Sequence, residues 1–312
     1  MSLKNNEKLK VISVAGPTCT GKSDLAVHLA DAFNGEIINA DSMQVYRYFN
    51  IGTAKPDEIT RKRIPHHLID IVDPSDEFNA AIFKEMADRA IKDIHSRGHI
   101  PIVVGGTGLY IRILLYGIFN APQDPILRKS LQGQYRDDPL GMYKELKAID
   151  YRYAMKIGYR DKIRVVRALE VYRLTGLNMS QWEERHGFRE NHYNMMKIGL
   201  TLNRGELYEK INKRVDHMLA SGWIDEVKDI LAMGYNENHR PFSGIGYREI
   251  LLLLKDLTTF EDMVKDIKRL TRHYAKRQFT WFSREKDMRW YISPKDMEKI
   301  KEEVSHFIED GA

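Results

Sequence analysis

Cysteine is almost missing from this chain. Cys19 is the only one in 312 residues, which excludes an intrachain disulfide and any cysteine-based zinc cluster. Long apolar runs are missing too: the best candidates, residues 111–119 (broken by Arg112) and 250–254, fall short of the ~18 residues of a membrane helix. The first eight residues contain no apolar signal core, so the expected location is the cytoplasm, with no membrane partner. Internal repeats and low-complexity tracts are likewise lacking. The composition, 43% hydrophobic and 30% charged, is that of a folded chain able to bury a sizeable core. Its length suits a main domain carrying a smaller one, and the net charge of +5 favours an anionic partner.

Against this background one segment is specific: Gly16-Pro17-Thr18-Cys19-Thr20-Gly21-Lys22-Ser23. It lies between an apolar run, residues 9–15, and a helical pattern with Leu25, Ala26, Leu29 and Ala32 on one side. Glycines let the backbone curl so that successive N–H groups point inward, and the new helix adds the positive end of its dipole. Lys22 supplies a mobile cation for an outer phosphate and Ser23 a hydroxyl ligand for Mg²⁺. A pyrophosphate group is therefore expected on residues 16–23. Cys19 reads as a small space-filling residue rather than a redox switch, since reactivity needs a lowered thiol pKa. The loop alone leaves the reaction open, and hydrolysis or transfer of a nucleotide γ-phosphate is its commonest use.

Residues 9–119 alternate between strand and helix patterns. Strands are expected at 11–15, 36–40, 67–72 and 100–104, and helices at 22–33 and 79–96, the latter with Ile82, Met86, Ala90 and Ile94 on one stripe. Such alternation predicts an α/β fold, a P-loop NTPase-like parallel sheet with flanking helices, whose ligands sit beyond the carboxyl ends of the strands. The phosphate loop, Asp41 and Thr107 all fall there. After Gly117 the pattern changes. A turn-rich boundary at 120–125 opens a stretch of helical patterns, so residues 122–194 read as a helical insertion domain, with 1–121 and 195–312 forming the core. A strand returns at 195–200, and helices follow at 205–220, 224–233, 247–254 and 260–283 before a last strand at 289–292.

An ATPase should place a Mg²⁺-holding aspartate after its second hydrophobic strand. Here the strand 100–104 runs instead into Gly105-Gly106-Thr107, and the acid at a strand end is Asp41. Several blocks then resemble, in order, the signature of bacterial tRNA dimethylallyltransferases, also called tRNA isopentenyltransferases. They are the phosphate loop, Asn39-Ala40-Asp41-Ser42-Met43-Gln44-Val45-Tyr46, Ile51-Gly52-Thr53-Ala54-Lys55-Pro56, Gly105-Gly106-Thr107-Gly108-Leu109-Tyr110, Arg167-Ala168-Leu169-Glu170-Val171-Tyr172 and Gly244-Ile245-Gly246-Tyr247-Arg248. Arg214-Val215-Asp216-x-Met218, Gly222-x-x-Asp225-Glu226-Val227 and Lys276-Arg277-Gln278-x-Thr280-Trp281-Phe282 add to it, so the resemblance spans nearly the whole chain. Cys19-Thr20 departs from the small residues expected at that place in the loop. No cysteine-containing C-terminal extension of the eukaryotic type is present, which points to the bacterial form.

The resemblance implies transfer of a dimethylallyl group from its diphosphate to the exocyclic amine of the adenosine at tRNA position 37, just 3′ of the anticodon. The phosphate loop would then hold the leaving group rather than ATP, with Mg²⁺ on Ser23. Asp41 would accept the proton of the adenine amine, Thr107 would orient the reacting groups, and Arg214 would be a further cation on the diphosphate. A base inside an anticodon loop must be extruded to reach such a pocket, so an RNA-binding surface is implied. Expected tRNA contacts are Asp41, Ser42, Met43 and Gln44 around the unstacked bases, Lys129, Arg164 and Arg167 in the insertion, and Gly246, Tyr247 and Arg248. Arg272, Lys276, Arg277 and Gln278 complete the set on a basic helix whose apolar face is read as Phe260, Met263, Ile267, Leu270 and Tyr274. A monomer is expected. A small-molecule kinase shares the loop and sheet but leaves the basic helix and the insertion unexplained; a non-catalytic, nucleotide-dependent RNA binder would leave Asp41 without a role.

Overall fold

The computed structural model describes residues 8–119, 121–187 and 192–310; residues 1–7, read as free of a signal core, and Asn120 of the expected boundary turn lie outside the described residues. In chain order the elements are β1 (Lys10–Ala15), α1 (Lys22–Ala32), β2 (Gly35–Asn39), α2 (Glu58–Arg63), β3 (His66–His67), α3 (Ala80–Ser96), β4 (Ile100–Gly105) and α4 (Gly108–Tyr116). Next come five helices, α5 (Pro125–Asp137), α6 (Pro139–Ile149), α7 (Tyr151–Ala154), α8 (Lys162–Thr175) and α9 (Met179–His186). The chain continues with β5 (Asn194–Leu200), α10 (Arg204–Ala220), α11 (Trp223–Ala232), α12 (Tyr247–Leu254), α13 (Phe260–Phe282), β6 (Arg289–Tyr291) and α14 (Met297–Glu309).

The strands form one parallel sheet in the order β3-β2-β4-β1-β5-β6. A parallel pair needs a crossover, which is why strand and helix patterns alternate along the sequence. The central strand β1 is buried along Val11–Ala15 because helices cover both faces, and its sequence accordingly reads as an apolar run rather than an alternation. Register does the rest. Ala15 lies beside Gly105 and Gly199, and Asn39 beside Val104, so the chain leaves β1, β2 and β4 at one rim. The phosphate loop, Asp41 and Thr107 start from that rim. Beneath it Ile12, Val14, Leu25, Leu29, Ile102, Ile198, Ile300 and Val304 pack α1 and α14 against the sheet. Each such side chain contributes roughly 1.5–3 kcal/mol by leaving water.

Three expectations are corrected. The strand read at 67–72 is only two residues long, with an isolated bridge from Tyr46 to Val72. Leu68 and Asp70 adopt φ of 64° and 56°, left-handed backbone that a strand cannot contain, and the Asp70 carboxylate is taken up by Lys55 and by Arg61 at 2.6 Å. On α3 the buried stripe is Phe83, Ala87, Ile91 and Ile94, one residue round from the one read. The Phe83 ring, stacked on Tyr110 at 4.2 Å between centroids, sets the face. On α1 the fourth buried position is Ala30, and Ala32 is exposed.

The chain divides into two compact units, residues 1–115 with 192–312, and residues 116–191, against the bounds of 122 and 194 read from the sequence. The second unit contains no strand among its described residues. Its helices start where the sequence places caps: Asp124 before Pro125, Asp138 before Pro139, and Asn178 with Gln181 in a capping box. Leu131, Leu146, Val165, Leu169 and Val171 fill its centre beside the fully buried Glu170. Burial alone would raise the Glu170 carboxyl, but hydrogen bonds from Arg167 (2.8 Å), the Asp124 N–H (3.0 Å) and Arg128 (3.0 Å) outweigh it and hold it below its ordinary value. Among the described residues no helix is long and apolar enough to cross a membrane.

Candidate active site

The phosphate loop is built on two glycines the backbone requires. Gly16 has φ 138°, and a Cβ there would lie 2.4 Å from the Leu200 carbonyl; Gly21 has φ 89° at the entry to α1. Between them Cys19 also takes a left-handed conformation, φ 65°, without glycine's freedom. Lys22 folds back so that Nζ donates to the Pro17 carbonyl at 2.6 Å, and the Thr20 hydroxyl donates to the same oxygen at 2.9 Å. Burial, with Arg214 second, pushes the Lys22 ammonium down to about 8, a shift that Cys19 and Asp41 partly offset. Arg214 arrives from α10, its Nη1 3.7 Å from the Cys19 sulfur, with no carboxylate partner among the described residues.

At the end of β2 the Asp41 carboxylate turns the chain by accepting from the N–H groups of Met43 (2.8 Å) and Gln44 (3.3 Å) through Oδ1. Thr107 is tied to the same turn: its hydroxyl oxygen accepts from the Ser42 N–H at 3.2 Å, and its own N–H donates to the Ala40 carbonyl at 3.2 Å. Two chambers meet here. A small polar one, about 100 Å³, runs from Lys22 and Ser23 past Asp41 to Ile37, Ile69 and Val104. A larger one, about 370 Å³, is walled by Met43, Ile211, Val215, Met218, Trp223 and Ile245, with Arg240 and Arg277 also on it. Thr18, Asp41, Thr53, Arg214 and Tyr274 line both. The geometry is that of an anion site and an apolar site sharing one carboxylate and one guanidinium.

A family model described as IPP transferase matches residues 44–285, and one described as isopentenyl transferase matches residues 9–65. A protein named tRNA dimethylallyltransferase 2 from Geotalea daltonii is 45% identical over 99% of this chain and 95% of its own length. The tRNA dimethylallyltransferase of Geobacter metallireducens is 45% identical over 98% and 99%. The chain belongs to the tRNA dimethylallyltransferase family. Among solved structures, the tRNA isopentenylpyrophosphate transferase of Bacillus halodurans superposes with a TM-score of 0.73 at 36% identity, covering 97% of this chain and 98% of that one. A eukaryotic dimethylallyltransferase acting on tRNA gives 0.82 at 33%, covering 97% and 80%.

In this tRNA dimethylallyltransferase family member the residues read from the sequence fall into two groups. Asp41, Ser42, Met43, Gln44 and Arg214 line the chambers together with Thr18, Cys19, Lys22 and Ser23 of the phosphate loop, Thr107 is bonded to Ser42 behind them, and Arg248, Lys276 and Arg277 are exposed on the same unit. Others are engaged by the protein itself, Gln278 and Tyr247 while also lining the smaller and the larger chamber respectively. Gln278 is buried: its amide oxygen accepts from the Thr18 N–H at 2.9 Å and its NH₂ donates to the Gly106 carbonyl at 3.0 Å, so it braces the phosphate loop. Tyr247 is buried with its hydroxyl on Glu226 (2.8 Å), and a Cβ on Gly246 would strike the Trp223 ring at 1.9 Å. Arg272 donates to Asn212 at 2.7 Å and lies over Tyr208. In the insertion unit, taken separately, Lys129 is exposed, Arg164 pairs with Asp161 at 2.6 Å, and the Arg167 guanidinium is used by Glu170 and the carbonyls of Ala121 and Pro122. The apolar face of α13 is also corrected: Met263, Ile267, Ala275, Gln278 and Phe282 are buried, whereas Phe260 is 48% exposed.

Two contributors escaped the sequence reading. Tyr274 was read as part of the apolar face, yet it lines both chambers, and its hydroxyl is raised above its ordinary value by burial first and by Asp41 second, which keeps it a donor. Glu226, part of a quoted block with no role attached, accepts from the N–H groups of Asn50 (2.9 Å), Ile51 (2.6 Å) and Gly52 (3.4 Å) as well as from Tyr247. It thereby holds the segment that delivers Thr53 to both chambers. Replacing Glu226 with alanine leaves three N–H groups and a buried hydroxyl without their acceptor. Thermal or urea unfolding should show a loss of about 2–4 kcal/mol, and a loss under 1 would refute the assignment.

Proposed function

We propose that this protein transfers the dimethylallyl group of dimethylallyl diphosphate to the exocyclic amine of the adenosine at position 37 of tRNA, releasing diphosphate. The observation that carries the reading is the shared wall: Asp41 and Arg214 line both the phosphate-side chamber and the apolar one. The diphosphate lies on the amides of residues 16–23, and the adenine enters the larger chamber. The bond between C1 of the allyl group and the bridging oxygen breaks, and its electron pair leaves with the diphosphate. The amine lone pair forms the new N–C bond, and the proton the amine gives up passes to the Asp41 carboxylate.

Negative charge grows on the departing oxygen, and Lys22, Arg214 and the loop amides stabilise it where it appears. The Ser23 hydroxyl at the chamber, with Asp41 oxygens beyond it, is a hard-oxygen donor set of the kind that suits Mg²⁺ shared with phosphates and water. Bound there, Mg²⁺ would supply further positive charge against the diphosphate. Thr107 receives the Ser42 N–H and its side chain is hydrogen-bonded to the Tyr274 hydroxyl, so in this reading it orients the reacting groups by tying the Asp41 turn to Tyr274. Exposed Arg248, Lys276, Arg277 and Lys129 are the proposed phosphate contacts of the anticodon stem-loop. We take a monomer as the working unit, since one chain lines both chambers, and the cytoplasm as its compartment, in keeping with a tRNA substrate.

Lys22 sits at about 8 before an anion arrives, so it is charged below that pH and loses its proton as the pH rises through it. The KM for dimethylallyl diphosphate is therefore expected to be flat below about 8 and to climb above it; a KM flat across that range refutes the role of Lys22. The reaction itself is tested by incubating the protein with Mg²⁺, unmodified tRNA and dimethylallyl diphosphate, followed by nucleoside mass analysis. A prenylated adenosine should form only with the allyl donor. ATP consumption without such a product would make the loop a kinase site.

A further inference from the structure

On α13 the spacing Tyr274, Arg277, Trp281 places three side chains on one face of the helix. The first two line the larger chamber. The third lies one turn further along, outside the chamber, and is 37% exposed, a large area for a tryptophan. Its indole is anchored by one edge: a Cβ on Gly108 would lie 2.1 Å from Cδ1 and 2.2 Å from Nε1, so the ring rests on the residue that follows Thr107. A partly exposed aromatic ring is thus seated against the first residue of α4, next to a candidate catalytic hydroxyl and one turn along α13 from two chamber-lining side chains.

Charge along the same helix is divided. Toward its start, Lys268 pairs with Asp216 at 2.6 Å and Arg269 with Asp266 at 2.9 Å. Toward its end, Lys276 and Arg277 have no carboxylate partner among the described residues, and the Arg277 guanidinium lies over the Tyr274 ring at 5.7 Å. Unneutralised cations beside an exposed ring packed by one edge fit a partner that carries both phosphates and flat rings. We infer that Trp281 is a stacking platform for a nucleobase of the RNA substrate flanking the extruded adenosine, with Lys276 and Arg277 on the adjoining phosphates. This rests on the RNA-substrate reading above. Stacking of this kind tolerates any base, because each has a π-face, so the platform would position the loop without choosing its sequence.

The test uses an anticodon stem-loop RNA with 2-aminopurine at either neighbour of the target adenosine, titrated with the full-length protein. Contact with the indole should quench the probe at one of the two positions. Trp281→Ala should lose that quenching and bind the RNA about tenfold more weakly, within the range for base–aromatic stacking, while Trp281→Phe keeps most of the affinity. Binding of inorganic diphosphate, measured in both variants, should be unchanged, which separates a lost platform from a collapsed site. Unaltered quenching and affinity in Trp281→Ala overturns this inference alone. Failure of the wild-type protein to bind the RNA overturns it together with the reading it rests on.

Discussion

Asp41→Asn is expected to lower kcat/KM for prenyl transfer by about 10²–10⁴-fold, the span attributed to a positioned general base. Asparagine is the informative substitution. Its carbonyl oxygen can still accept the N–H groups of Met43 and Gln44 that Asp41 Oδ1 accepts, so the turn after β2 survives. What disappears is the second oxygen's basicity, since an amide nitrogen takes no proton at neutral pH. Unfolding stability and RNA affinity should therefore stay close to wild type while product, measured as prenylated nucleoside, falls. Activity within tenfold of wild type would move the base elsewhere.

Arg214→Gln is expected to cost about 10²–10³-fold in kcat, the scale of removing one donor to a developing anion. The charge on the diphosphate is greatest as the C–O bond breaks, so the loss should fall on kcat more than on KM. A second effect tests the geometry independently. Arg214 is, after burial, the group that pushes the Lys22 ammonium down to about 8. Removing its charge lets the lysine hold its proton to higher pH, so the rise in KM above about pH 8 should move upward in the variant. A KM–pH profile identical to wild type would mean that the two cations do not sense each other.

How far a one-dimensional reading reaches can be followed residue by residue. The loop 16–23, the acid at the end of β2 and the threonine after β4 were legible because each follows a strand, and strands of a parallel sheet deliver their carboxyl ends to one rim. Helix α12 begins and ends where its periodicity predicts, at Tyr247 and Leu254. Periodicity fails where two patterns are equally apolar. Residues 67–72 look like a strand, yet left-handed Leu68 and Asp70 belong to a turn fixed by Lys55 and Arg61. On α3, Ile82 and Phe83 compete for the same interior, and the ring that finds Tyr110 wins.

Local order along the chain was enough to specify the curl of the phosphate loop, the order of the main strands and helices and the placing of Asp41 at the rim, because backbone curl, helix dipole and apolar period act between near neighbours. The partnerships that make these parts a chamber were not available to such a reading. Gln278 braces Thr18 across 260 positions, Glu226 holds Ile51 across 175, and Arg214 reaches Cys19 across 195. A polar side chain carries no mark of which distant N–H or sulfur it will meet. That choice is made when α10, α11 and α13 pack against the rim, since buried donors and acceptors there must find one another or remain unpaired.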